Sequence, residues 1–167
     1  MKEIQVGFIG SGFIANFMVE AMQQVRGINI SALYKRSGTS ALADVIRHKE
    51  LGELKIYDSI EEVCNHCDVV AIMTPNHTRV TVVEAIVDAV KKGAPLKAAV
   101  CEKPLGRTVA EARRIVELAD EADLLTFYFE NQLHMSSINK ALKQLKPQQE
   151  AMGPLVLARS TEEHAGP

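Results

Sequence analysis

Apolar residues along this chain fall into short runs, and the segments between them carry apolar positions at helical spacing. Ile4 to Ile9 is a strand-like run that stops at Gly10. Ile14, Phe17, Met18, Ala21, Met22 and Val25 then recur at helical spacing, and Arg26-Gly27 closes that helix with a cation and a glycine stop. Ile28 to Tyr34 reads as a second strand, Ser40 to Lys49 as a second helix and Leu54 to Tyr57 as a short third strand. Ser59 with Glu62 three residues on is a capping box that starts the next helix. Asp68 to Met73 is a nearly unbroken apolar run, as in a parallel strand covered on both faces. Val80, Val83, Ile86, Val87 and Val90 give the following helix its buried face. Lys97 to Cys101 is a fifth strand. Thr108 with Glu111 caps a helix to about Asp120, and Leu124 to Phe129 is a sixth strand.

Strand and helix therefore alternate from residue 4 to residue 129, which predicts an α/β fold with a doubly wound parallel sheet of the Rossmann type. Such sheets bind ligands beyond the carboxyl ends of their strands. The last part of the chain differs. Ser136 to Lys146 reads as a helix, Pro147 to Glu150 as a polar loop, and Gly153 to Ser160 as a turn and a strand. The expected organisation is a nucleotide-binding domain over residues 1–125, followed over 126–167 by the first helix and strand of an incomplete second α/β domain. Leu155, Val156 and Leu157 would lie on a strand with no sheet to join in cis, so residues 136–167 are expected to be poorly packed in a monomer or buried by self-association. A homo-oligomer is the expected state.

Composition narrows the function without naming it. The 167 residues are 47% apolar and 24% charged, ordinary values for a globular domain. A net charge of −2 gives no electrostatic reason to expect nucleic acid or an anionic membrane as partner. No apolar run is long enough to span a bilayer, and Met1-Lys2-Glu3 runs into a strand without a secretory signal pattern. Three cysteines, Cys64, Cys67 and Cys101, suit a reducing compartment, and a cytoplasmic location is expected.

The first strand and the turn after it carry the chemistry. Gly10-Ser11-Gly12-Phe13-Ile14-Ala15 has the spacing Gly-x-Gly-x-x-Ala between strand and helix, a dinucleotide fingerprint with Ala in its third small position. Gly10 allows the sharp turn, Gly12 lets a pyrophosphate approach the backbone, and Ala15 lets helix and strand pack closely. The helix start then presents N–H groups to the phosphates. About 20 residues on, at the end of the second strand, an NAD-selective site places an acid. Here Lys35, Arg36 and Ser37 stand there: two cations and a hydroxyl, which suit a 2′-phosphate. NADP is therefore the expected cofactor, with NAD the alternative. Glu102-Lys103-Pro104 follows the fifth strand. An amine at that edge can move a proton at a substrate oxygen during hydride transfer, Glu102 can hold it, and Pro104 fixes the turn. The Cys64-Asn65-His66-Cys67 segment has a Cys-x-x-Cys spacing but no second ligand pair, so it reads as packing and no metal site is expected. Asn131 and His134 follow the sixth strand and are candidates to face substrate.

Gly10 to Ala15, Thr74-Pro75-Asn76 and Glu102-Lys103-Pro104, in that order, resemble the glucose–fructose oxidoreductase/inositol dehydrogenase (Gfo/Idh/MocA) family over about residues 3 to 130. The resemblance implies an oxidoreductase that passes hydride between NAD(P) and a sugar, cyclitol or related hydroxyl compound. It implies that Lys103 is the catalytic lysine and that Asn76 and Glu102 lie near the nicotinamide ribose. Gly10, Gly12, Phe13 and Ile14 would line the pyrophosphate, and Thr74, Pro75, His77 and Asn131 complete the candidate set. There are departures. Arg79 stands where the family often has a histidine. The stretch from Gly93 to Glu102 is longer than usual, and the Gly-Gly-rich helix start and the Asp-x-Gly-x-His-type segment of the family's second domain are not in this sequence. The chain thus resembles the cofactor half of a longer enzyme. A stand-alone NAD(P)-binding or sensing module is the alternative function, and a protein that kept the fold and lost the ligand is a third.

Overall fold

A computed structural model describes residues 3–35, 41–159 and 161, and divides into two compact units after Phe129. The first unit is one six-stranded sheet. Its strands are β1 (Ile4–Ile9), β2 (Ile28–Tyr34), β3 (Lys55–Tyr57), β4 (Val69–Ile72), β5 (Ala98–Glu102) and β6 (Leu125–Phe129), in spatial order β3-β2-β1-β4-β5-β6. Every neighbouring pair is parallel. Chain order reverses between β1 and β4, which makes the carboxyl ends of those two strands the topological switch point. The expected doubly wound parallel sheet is thus the observed one.

Helices α1 (Phe13–Met22), α2 (Ala41–His48), α3 (Ile60–Asn65), α4 (Arg79–Lys91) and α5 (Val109–Glu121) connect the strands. They build one apolar core on each face. Phe8, Ile30 and Leu33 pack with Ala15, Val19, Leu42 and Ile46 on the side of α1 and α2. Ile9, Val70 and Ile72 pack with Val63, Val83, Ile86 and Ile115 on the other side. Phe8 and Ile9 are consecutive, fully buried and in opposite cores, the period-2 alternation of a strand covered on both faces. At Gly7, beside the register shift of β1 on β2, an added Cβ would lie 2.6 Å from Val63 Cγ1 and 2.9 Å from Cys67 Sγ. Only glycine lets α3 come this close. Both expected N-cap residues cap their helices: Ser59 Oγ accepts from the Glu62 N–H at 3.1 Å and Thr108 Oγ1 from the Glu111 N–H at 3.2 Å, while the Glu62 carboxylate accepts from the Ser59 hydroxyl and the Glu111 carboxylate from the Arg107 N–H. Among the described residues no helix is long and apolar enough to cross a membrane.

Several local expectations change. The first helix ends at Met22, and Val25 lies in the irregular stretch beyond it, exposed. Phe17 is exposed as well, because α1 turns Ala15 and Val19 to the sheet and leaves Phe13 and Phe17 on the far face. Ser40, expected to start the second helix, lies outside the described residues.

The second unit opens with a 3-10 turn, Asn131–His134, and continues as α6 (Ser136–Met152). Pro147, expected to begin a loop, lies inside α6. Proline removes one helical N–H, but the bonding resumes beyond it: the Gly153 N–H donates to the Gln149 carbonyl at 2.9 Å. Residues 153–159, expected as a turn and strand, form no strand. A strand needs a ladder partner, and none is paired with this segment among the described residues.

Candidate functional site

At the switch point the ends of β1, β2 and β4 enclose a cleft of about 710 Å³, lined in part by Gly10, Lys35, Thr74, Pro75 and His77. Each is there for a local reason. Gly10 has φ +105°, a backbone that L side chains rarely adopt, and its N–H donates to the Tyr34 carbonyl at 3.2 Å. The turn after β1 is thereby fastened to the end of β2. An added Cβ on Gly10 would sit 3.1 Å from the carbonyl carbon of Met73 and 3.2 Å from its oxygen. Lys35, half-buried, is the first residue after β2 and lines the wall. Thr74 and Pro75 follow β4. Asn76 begins a 3-10 turn to Thr78, whose hydroxyl donates to the Pro75 carbonyl at 2.8 Å.

Gly12 is the N-cap of α1, with no side-chain cap, and an added Cβ there would meet nothing within 4 Å. The first turn of α1, from Phe13 and Ile14, therefore begins without the hydroxyl acceptor that closes α3 and α5. It also lacks an acidic side chain. Uncapped N–H groups, the positive end of the helix dipole and open space at Gly12 together fit an anionic diphosphate. Phe13 is exposed, and Ile14 turns its side chain to the core. Thr74 lines the cleft, and its hydroxyl is buried without a hydrogen-bond partner among the described residues. These features fit a dinucleotide. Arg36 and Ser37, the rest of the expected phosphate-binding group, lie outside the described residues.

Glu102 ends β5 and is buried, and Lys103 follows it, exposed, before a cis bond to Pro104. Neither lines the cleft, but their loop is joined to it by Arg79, whose guanidinium donates to the carbonyls of both Thr74 and Lys103. Burial pushes the Cys101 thiol upward, with the guanidinium of Arg79 acting against that shift. Asn131 and His134 lie in the opening 3-10 turn of the second unit. Tyr34, Ile60, Thr81, Val82 and Ala85, which belong to no motif in the sequence, complete much of the cleft wall. Thr81 and Ala85 are four apart on α4, a helical spacing that could have marked them as one face.

The Cys-x-x-Cys segment is packing. Cys64 and Cys67 are buried free thiols, each pushed up to about 12 by burial, and the Cys67 thiol donates to the Val63 carbonyl. His66 stacks on Tyr57 with ring centroids 4.7 Å apart. Among the described residues no group of three or more His, Cys, Asp or Glu is placed to hold a metal. Iodoacetamide at pH 8 is expected to label Cys64 and Cys67 only on unfolding, read by mass spectrometry; fast labelling of the folded protein would contradict the burial. Because the folded thiols hold their protons more tightly than free ones, they stabilise the fold below the ordinary thiol value, and that contribution falls as pH rises toward 12.

Comparison with known proteins agrees with this fold. An uncharacterized protein of Saccharomyces cerevisiae is 28% identical over 160 residues, covering 93% of this chain and 43% of that protein. An uncharacterized oxidoreductase of Streptococcus pneumoniae is 27% identical over 118 residues, 71% of this chain and 29% of that protein. The crystal structure of myo-inositol 2-dehydrogenase from Lactobacillus plantarum superposes with a TM-score of 0.71 at 17% identity, over 89% of this chain and 42% of that one. The chain spans less than half the length of each. The description of the Gfo/Idh/MocA family, an oxidoreductase family with an NAD-binding Rossmann fold, matches residues 4–130. With the glycine turn, the switch-point cleft and the Thr-Pro-Asn and Glu-Lys-Pro loops in place on that fold, the chain belongs to the Gfo/Idh/MocA oxidoreductase family.

Proposed function

We propose that this chain is the cofactor-binding part of an NADP(H)-dependent oxidoreductase acting on a hydroxyl of a sugar, cyclitol or related compound. The observation that carries the reading is the convergence at one sheet edge. The uncapped start of α1 and the Lys35 cation stand beside β1 and β2, and Thr74 and Pro75 follow β4. Lys103 follows β5 and is tied to the Thr74 loop through Arg79.

The nicotinamide, when bound, exchanges hydride with the substrate carbon. The chain's own residues do the rest. The turn from Gly10 to Ile14 holds the diphosphate with backbone N–H groups. Lys35, with Arg36 and Ser37, binds the 2′-phosphate. Asn76 and Glu102 orient the nicotinamide ribose. Lys103 Nζ accepts the hydroxyl proton as the carbon is oxidised and returns it in the reverse direction. Titration of the chain with NADPH, followed by nicotinamide fluorescence, is expected to give saturable binding. A correctly folded protein that leaves the fluorescence unchanged would overturn the reading.

Self-association belongs to the same proposal. The described residues of the second unit include none that is buried, and Ile138, Leu142, Val156 and Leu157 are all exposed. Apolar surface of this extent is expected to be covered by a second copy. Light scattering should give a mass above the 18.3 kDa of one chain. A monomer at every concentration tested would rule this out.

A further inference from the structure

We propose that Arg79 is a positioning residue that couples the Thr74–His77 loop to Lys103, so that a dinucleotide seated against the loop fixes the lysine. The inference rests on the dinucleotide reading above and gives Arg79, which ties the two loops together, a role in it.

Arg79 is the first residue of α4, where a charged side chain ordinarily points into solvent, yet it is only 3% exposed. Among the described residues no carboxylate lies within 4.0 Å of it. Its guanidinium bonds to backbone carbonyls instead, with the Cys101 thiol beside it. Nε donates to the Thr74 carbonyl and Nη2 to the Lys103 carbonyl, each at 3.3 Å. The two acceptors belong to loops that leave different strands, β4 and β5, and one rigid planar fork spans both. Burying a guanidinium without an anionic partner is costly, and a neutral side chain could fill the same space more cheaply. What the guanidinium adds is a fixed separation between the cofactor loop and the lysine loop.

The fork also has room to tighten. Both bonds are longer than the usual range for an N–H donor to oxygen, and Nη1 is buried with no partner among the described residues. Thr74, one of the two anchors, lines the cleft. A ligand pressing on that loop therefore acts on an anchor of the fork, and the other end of the fork is the carbonyl of Lys103.

The test uses the full chain and two variants. Arg79→Lys keeps the charge but cannot span two carbonyls, and Arg79→Met removes it. Lys103 is labelled with acetic anhydride and quantified by mass spectrometry, with and without saturating NADPH. In the wild type NADPH should slow labelling about fivefold or more, a usual size for coupling between sites. In Arg79→Lys the NADPH affinity should stay within about threefold while protection of Lys103 falls below about twofold. Equal protection in wild type and variant, at equal occupancy, would overturn the inference. A purely structural arginine would lower stability in both variants without separating affinity from protection. If the Met variant does not fold, the Lys variant carries the test alone. If the wild type binds no NADPH, the dinucleotide reading fails, and hydrogen exchange without ligand then judges the strut. Faster exchange at Lys103, Leu105 and Gly106 in Arg79→Lys, with β4 and β5 unchanged, supports it, and unchanged exchange at those amides rejects it.

Discussion

NADP(H) is expected to bind this chain roughly ten- to a hundredfold more tightly than NAD(H) in calorimetric titrations at low salt. The preference originates at the end of β2. That strand stops at Tyr34, and the next residue occupies the place from which an acid would reach the ribose hydroxyls of NAD. An acid there would also face a 2′-phosphate as one anion faces another. Lys35 instead lines the cleft, half-buried, together with Gly10 of the glycine turn. A charge-assisted hydrogen bond contributes on the order of 1.5–3 kcal/mol, so a single one to the 2′-phosphate gives a discrimination of the size stated. Partial exposure adds a second signature: the preference should shrink as salt rises. Lys35→Asp is expected to remove the preference and to spare NAD(H). Equal affinities for the two cofactors in the wild type would refute the proposal, and so would an unchanged ratio in Lys35→Asp.

The layout of the sheet was legible because both of its faces are covered. A strand buried on two sides must be apolar at every position, so Val69 to Ile72 announced itself as a run. The helix starts at Ser59 and Thr108 were legible because a hydroxyl at an N-cap has a specific local job, which both perform. Where tertiary contacts decide, the sequence said less. Phe17 has the right spacing for a buried face, but the small Ala15 is the residue that lets α1 lie close to the sheet. Pro147 reads locally as a breaker, and a helix can still pass through it by giving up one bond. Leu155 to Leu157 read as a strand because they are apolar, but pairing is a property of the partner, and no partner among the described residues supplies a ladder.

The site divides in the same way. The glycine turn, Lys35 and the Thr-Pro-Asn and Glu-Lys-Pro loops stand out by spacing at strand ends, and of them Gly10, Lys35, Thr74 and Pro75 come together on one cleft. Arg79 drew notice only as a departure from the family pattern. An arginine at a helix start ordinarily reads as solvated charge, and its burial depends on two loops that fold over it from separate strands. The helix face carrying Thr81 and Ala85 was missed for a related reason: small residues on α4 line the cleft simply by leaving space.

Gly10 and Gly12 should separate stability from binding, although they stand two residues apart. At Gly10 the backbone has φ +105°, and an added Cβ would lie 3.1–3.2 Å from Met73 backbone atoms and from Thr74 Cγ2. A β-branched side chain cannot relax away from a rigid strand end, so Gly10→Val combines backbone strain with overpacking. Each effect costs on the order of 1–3 kcal/mol, and the melting temperature should fall by several degrees. Dinucleotide binding should be lost with the turn. At Gly12 the conformation, φ −77° and ψ −168°, is open to any residue, and a Cβ there meets no atom of the protein within 4 Å. Gly12→Ala should therefore change stability by only about 1 kcal/mol or less, the ordinary difference between these residues at a helix N-cap. Its methyl group would instead occupy the space through which the diphosphate reaches the backbone N–H groups. Losing one good charge-assisted hydrogen bond corresponds to roughly tenfold or more in NADPH affinity. Thermal unfolding and NADPH titration of both variants would check the pair. A Gly12→Ala protein that binds NADPH like the wild type would show that the diphosphate does not lie on this turn, and a Gly10→Val protein as stable as the wild type would show that the turn tolerates a side chain.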